Sequence, residues 1–194
     1  MIKEIEILKD FLKVESLLKE DEWRAFADIW QPYLVQRKET ITFPGQTEKH
    51  LYFIMEGVQR IYHISKEDKE ATLILTYPHS FGGVLDSFLL QIPSEYYYES
   101  LTPSLFLKAS HQKFIEVTTA YPKLDQLMKQ HTYLALSGLL ERMVELQSFS
   151  SEEKFRTLLK RSPHILQLVP HKYLANYLGI DPTNFSKLIN HVKI

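Results

Sequence analysis

Cysteine is absent from all 194 residues, which removes disulfides, thiolate zinc sites and cysteine-ligated iron–sulfur clusters together. Long apolar runs are missing as well. No stretch reaches 18 apolar residues, so no membrane partner or span is expected. The opening MIKEIEILKDF mixes acids with apolar residues and lacks a secretory core, which leads to an expectation of a cytoplasmic protein. The eight histidines never form an H-x-H pair. A cupin-type metalloenzyme, which needs clustered histidines and a glutamate, therefore lacks its ligands in His50, His63 and His79. The paired acids Glu152 and Glu153 fall at a helix start, where the helix dipole favours them without any catalytic role. No nucleophile–base set is found; the chain reads as a non-enzyme, and no cofactor or metal is called for.

What is present is the composition of a soluble globular protein, 44% apolar and 24% charged. Net charge is only −1, but it is unevenly spread. From Ser151 onward seven Lys and Arg, the last of them Lys193, face three acids. A basic tail on an acidic body is what a separate nucleic-acid-binding module produces.

Hydrophobic rhythm divides the chain. Residues 1 to about 36 read as helical, with Ile5, Leu8, Phe11 and Leu12 and then Phe26, Ile29 and Trp30 at three- and four-residue spacing, until Pro32 disturbs the pattern. From Arg37 the rhythm is that of strands. ETITF, LYFIMEG, VQRIYHIS, ATLILTY, EYYYES and SLFLKAS are rich in β-branched and aromatic residues and separated by turn signals, as in an antiparallel barrel or jelly roll. FGGVLDSFLLQIPSE adds paired glycines and one or two helical turns. HQKFIEVTTAYP is a short helix. The stretch from Pro122 to Phe149 then runs as one long helix, interrupted only by Gly138. It is apolar on more than one face, so it needs two partners: its own roll, and the same helix of a second copy. Ser148 to Ser151 reads as a hinge, with Ser151 as the cap of a further helix, EEKFRTLLKR.

The stretch that gives the chain a purpose is VPHKYLANYLGIDPTNFSKLINHVK, near its end. Leu174, Ala175 and Leu178 share one face; Gly179 breaks the pattern; Phe185, Leu188 and Ile189 mark a second face. This is the order of a helix-turn-helix, with the small residue allowing close crossing and glycine supplying the turn. Asp181 serves as N-cap and Pro182 as the first helical residue of a second helix running to about Lys193. Its outward side carries Thr183, Asn184, Ser186, Lys187, Asn190 and His191, groups suited to base edges and phosphates. Lys172, at the start of the preceding helix, is a candidate phosphate contact. An ordinary helical hairpin with a polar outer face would share this pattern.

Taken in order, RKETITFPGQ, YFIMEGVQRIY, FGG…PSEYYYES and YLANYLGIDPTNFSKL resemble the cyclic-AMP receptor protein and fumarate–nitrate regulator superfamily over nearly the whole chain. The resemblance implies an α+β protein: an N-terminal double-stranded β-helix (jelly roll) of the cyclic-nucleotide-binding kind with flanking helices over 1–121, a dimerisation helix over 122–149 and a DNA-binding helix-turn-helix over 150–194. It implies a homodimeric bacterial transcription regulator bound to an inverted repeat in double-stranded DNA.

The cassette departs from the resemblance. Family members that bind cyclic AMP carry a glutamate for the ribose after FG, and an arginine just before a serine or threonine for the phosphate. Around Phe81 and Gly82 the glutamate position is Gly83, and the arginine–serine position reads Pro93-Ser94, followed by Glu95 and Tyr96. No Lys or Arg occurs between Lys69 and Lys108. A buried phosphate without a cation costs several kcal/mol, so cyclic-nucleotide binding is not expected. Tyrosine bulk from Tyr96 and Tyr98 on one strand face and Tyr97 on the other could close the cavity from within. An effector of unstated identity stays open, haem included, for which His63 and His79 would be the candidate axial ligands. In the reading helix, Lys187 stands where an arginine is usual, which keeps the charge and loses the two-pronged grip on guanine.

Overall fold

The computed structural model describes residues 2–14 and 17–191, so Lys193 and the end of the expected last helix lie outside the described residues. Two helices come first, α1 (Ile2–Leu12) and α2 (Glu20–Ala27). The Glu22 carboxylate accepts the Lys19 backbone N–H at 2.7 Å and closes the first turn of α2, which buries Trp23 and Phe26. Helix does not continue to residue 36, however. Gln31–Val35 form a strand, β1. Pro32, which disturbs the helical reading, sits opposite Leu107 on a strand at the edge of its sheet. One side of an edge strand has no ladder to lose, so proline is tolerated there.

Seven more strands come after it: β2 (Thr40–Thr42), β3 (His50–Glu56), β4 (Gln59–Ile64), β5 (Glu70–Thr76), β6 (Phe81–Gly82), β7 (Tyr97–Ser100) and β8 (Ser104–Ser110). They form two four-stranded sheets, ordered β1-β8-β3-β6 and β2-β7-β4-β5, whose pairings are antiparallel throughout. The expected jelly roll is thus present. Alternation along β3 shows why its sequence is an unbroken apolar run. Tyr52 and Ile54 point into the roll, while Leu51, Phe53 and Met55 point outward. That outer face is covered by Leu8 and Leu12 of α1 and by Trp23 and Phe26 of α2. A helix after the roll, α4 (His111–Ala120), adds Phe114 and Val117 to the same core. A strand buried on both faces has no polar phase to show. Between β6 and β7 lies a short helix, α3 (Leu85–Leu90).

The long helix α5 runs over Pro122–Ser148 with proline in its first turn. Leu124, Leu127 and Met128 pack against the roll and its helices. Further along, the same helix leaves its apolar side chains in solvent. The next helix, α6 (Ser151–Arg161), is capped one residue earlier than the sequence indicates: Ser150 accepts the Glu153 N–H, and Glu153 accepts the Ser150 N–H in return. A capping box requires the glutamate three residues after the cap, and only Ser150 has one. A short turn of helix, α7 (Ile165–Leu168), and the pair α8 (His171–Leu178) and α9 (Pro182–His191) complete the described residues.

Candidate nucleic-acid interface and the roll interior

The turn between α8 and α9 rests on Gly179, whose φ of 62° and ψ of 37° are left-handed. Its N–H and that of Ile180, 2.9 Å from the Ala175 carbonyl, close the end of α8. Asp181 then opens α9: its carboxylate accepts the backbone N–H of Thr183 at 2.8 Å and of Asn184 at 3.3 Å. Both bonds go to Oδ1, so Asp181 caps α9 through that oxygen. The inner face of α9 is anchored by Phe185, 1% exposed, with its ring 5.4 Å from Phe155 and 5.9 Å from His171.

This anchoring turns Thr183, Asn184, Ser186, Lys187, Asn190 and His191 to solvent together. Two of them are occupied within the helix. The Ser186 hydroxyl donates to the Pro182 carbonyl at 3.0 Å, and His191 Nδ1 lies 2.7 Å from the Lys187 carbonyl. A carbonyl only accepts, so Nδ1 of His191 carries the proton in this contact. Among the described residues the side chains of Thr183, Asn184, Lys187 and Asn190 have no hydrogen-bond partner. Lys172 is exposed on α8, its ammonium 4.6 Å from the Tyr173 ring centre.

The roll's interior is filled by its own rings. Tyr98 is wholly buried, 5.8 Å from Tyr52, which lies 5.4 Å from Phe106 and 6.2 Å from Tyr33. Burial drives the hydroxyls of Tyr98 and Tyr52 far above the ordinary tyrosine range. A methyl group added at Gly82 would lie 2.4 Å from the Tyr98 hydroxyl, so the FG glycine is where that hydroxyl fits. Gly83 has a φ of 104°, and a Cβ there would meet Tyr52 at 3.2 Å and the His50 carbonyl at 3.3 Å. The position of the family's glutamate is therefore shaped against any side chain.

The remaining cassette residues do not converge on one cavity. Phe81, opposite Phe53, faces the helices and lies 5.6 Å from His131. Pro93 is exposed and pairs with Thr47 as an isolated bridge. Ser94 is buried, its hydroxyl donating to the Tyr96 carbonyl at 2.8 Å while accepting the Tyr96 N–H at 2.9 Å. Glu95 is exposed, and its carbonyl lies 3.4 Å from His63 Nδ1. Tyr96 is half-buried with its ring 6.3 Å from His63. His79 is exposed in a left-handed turn. Among the described residues no group of three or more His, Asp or Glu could hold a metal ion.

One buried carboxylate has no counterpart among the residues that sequence reasoning singles out. Glu48, 3% exposed, accepts from the Thr42 hydroxyl at 2.5 Å, the His50 N–H at 3.1 Å and the Tyr52 hydroxyl at 3.4 Å. Burial pushes its carboxyl above the usual range despite those bonds. It ties β2 to β3 in the wall of an open groove beside Gln46 and Thr47. A lone acid among loop residues gives no pattern by which to find it.

Comparison with known proteins bears on the same two regions. Residues 34–121 match the model of the cyclic nucleotide-binding domain. FixK2 from Bradyrhizobium japonicum superposes with a TM-score of 0.76 at 12% identity, covering 84% of this chain and 83% of that one. A protein from Eubacterium rectale assigned to the Crp/Fnr family of transcriptional regulators gives 0.72 at 14% identity, over 94% and 87% of the two chains. The roll thus matches a cyclic nucleotide-binding domain, and the chain shares the fold of these solved structures. The global nitrogen regulator of Nostoc sp. is 29% identical over 112 residues, 57% of this chain and 47% of the regulator. The chain thus spans about half the length of the curated relatives it matches. No described helix is long and apolar enough to cross a membrane.

Proposed function

We propose that this chain is a DNA-binding transcription regulator that acts as a homodimer, with α9 as its reading helix and a roll that does not take up cyclic nucleotides. The carrying observation is the outer face of α9. Four polar side chains there have no hydrogen-bond partner among the described residues, on a helix held from behind by Phe185. The curated relatives are global nitrogen regulators, which agrees with a regulatory role.

Dimerisation is supported by α5. Tyr133, Leu136, Leu140 and Met143 recur at the three–four spacing of a coiled-coil seam and are 53% to 65% exposed. Apart from its chain neighbours and its own helix backbone, no atom of the described residues lies within 4 Å of a Cβ added at Gly138, so a second helix has room to approach there. A two-fold dimer presents two copies of α9, so the operator is an inverted repeat with half-site centres about 34 Å apart. Lys187 and Thr183 are assigned to base edges. Asn184, Ser186, Asn190 and His191 serve phosphates or flanking bases, and Lys172 holds a phosphate.

Selection of genomic fragments by the purified protein tests the reading, with light scattering on the same sample. A palindrome and a particle of about twice 22.9 kDa are expected. Failure to enrich any inverted repeat, or a monomer at micromolar concentration, would overturn it.

A further inference from the structure

We infer that Asn176 is a positioning residue: it latches the helix-turn-helix onto the edge of the roll, and so sets the distance between the two reading helices of a dimer. This rests on the DNA-binding reading proposed above.

The edge is β5, last in the order β2-β7-β4-β5. In a strand, the carbonyl of one residue and the N–H two residues later point to the same side, and on an edge strand they are left unpaired. Asn176 answers both. Its Oδ1 accepts the Thr72 N–H at 2.6 Å, and its Nδ2 donates to the Glu70 carbonyl at 2.8 Å. The side-chain amide thus does what one peptide unit of a neighbouring strand would do, and only one orientation of the amide satisfies both partners.

The contacts on either side of Asn176 act in the same direction. Tyr173 and Tyr177 lie three residues before and one after it, on one face of α8. The Arg60 guanidinium of β4 is held by Glu70 at 2.6 Å and Glu99 at 2.7 Å. It lies between two rings, 3.8 Å from Tyr62 and 4.1 Å from Tyr173. On the other side Arg142 of α5 donates to the Tyr177 carbonyl and stacks on its ring at 4.0 Å. The module is therefore held to the roll and to the long helix together, and does not hang from the Phe149–Ser150 connection alone. Within that set Asn176 has the clearest single function, because it is half-exposed and its loss leaves no core cavity.

A dimer gains from two fixed reading helices because the second half-site is met at high effective concentration only when the spacing fits. Asn176→Ala should lower affinity for the selected full operator on the order of ten-fold, leave a single half-site unchanged, and relax the preference for half-site spacing. Asn176→Asp keeps the acceptor for Thr72 but loses the donor to Glu70, and should fall between. Hydrogen exchange without DNA supplies the independent arm. The Thr72 amide should be protected in the wild type, and Asn176→Ala should raise exchange there and across α8. Wild-type affinity and spacing preference in Asn176→Ala, or tighter binding, would overturn the inference. So would a loss of protection confined to Thr72, which would mean that the module stays in place without the latch. If the wild type selects no DNA, the regulator reading fails, and the exchange arm still decides whether the latch holds the module.

Discussion

The inside of the roll and the outside of α9 are the two places where the Crp/Fnr resemblance puts polar chemistry, and the chain treats them in opposite ways. Inside the roll the buried side chains of Ser94 and Glu48 are turned upon the protein itself. The Ser94 hydroxyl is spent on Tyr96, the Glu48 carboxylate on Thr42, His50 and Tyr52, and Tyr98 occupies the space at Gly82. Outside α9 the polar groups are left open, and only Ser186 and His191 bond back to the helix. The same two-sheet frame supports both. A few residues within it decide whether a site is filled or offered, so the fold alone does not fix the function.

The largest effect should come from emptying the filled region. Tyr98→Ala removes a wholly buried ring and should cost about 3–5 kcal/mol in urea unfolding. Tyr98→Phe sharpens the point. The hydroxyl is buried and makes no hydrogen bond of good geometry, with Thr76 and the Gly83 backbone as only weak polar neighbours, so deleting it should cost little. Neither the wild type nor Tyr98→Ala should melt higher with cyclic AMP, since space without a cation does not hold a phosphate. Saturation at 100 times Kd would add about 2.7 kcal/mol, so a clear shift would break the contrast from the roll side.

On the open side, Lys187→Ala should weaken operator binding by about 1–3 kcal/mol and relax sequence preference, if the ammonium reads a base. Lys172→Ala should instead weaken all sequences alike and lower the salt slope by about one. Equal behaviour of the two variants in competition binding would mean that α9 is not reading bases. Smaller again is the cap. Asp181→Ala leaves the Thr183 and Asn184 N–H groups unpaired and should cost about 1 kcal/mol in thermal unfolding, without changing which sequence is preferred.

The helix-turn-helix was legible because its signals are local: Gly179, Asp181 and Pro182 each act within four residues. The strands were legible from their composition, although β1 and the two-residue β6 were not. QPYLV comes directly after the helical spacing of Phe26, Ile29 and Trp30. Its proline argues for a break in the helix but does not distinguish a strand from a loop beyond it. The filling of the roll was half-legible. Alternation separates Tyr96 and Tyr98 from Tyr97, but only the packing shows that Tyr98 alone is wholly buried while Tyr97 stacks on Tyr62 at 4.8 Å. Asn176 and Thr72 are 104 positions apart. No periodicity joins them, and an asparagine in a helix carries no mark of an edge strand waiting for it.

The smallest expected effect concerns the helical cover of the roll, where charge is excluded by packing alone. His131 of α5 stacks on Phe11 at 5.3 Å and meets Phe81 edge-on at 5.6 Å. Burial disfavours its imidazolium and holds its pKa below the ordinary histidine value. His50 is depressed in the same direction, first by burial and then by Lys108 and Lys49. An unfolded histidine titrates near about 6.5, so below that pH the unfolded chain binds more protons than the folded one. Stability should therefore be fully present above about pH 6.5 and decline as the pH falls toward the depressed folded values. Glu48 works against this, because its raised carboxyl pKa makes the folded state bind the extra proton just above the unfolded glutamate value near about 4.3. The difference between the wild type and His131→Leu removes that opposing part. In melting curves from pH 8 to pH 5.5 the wild type should lose more stability on acidification than the variant. Parallel curves would show that His131 is charged at no cost between its two rings, and that this part of the cover is open to water.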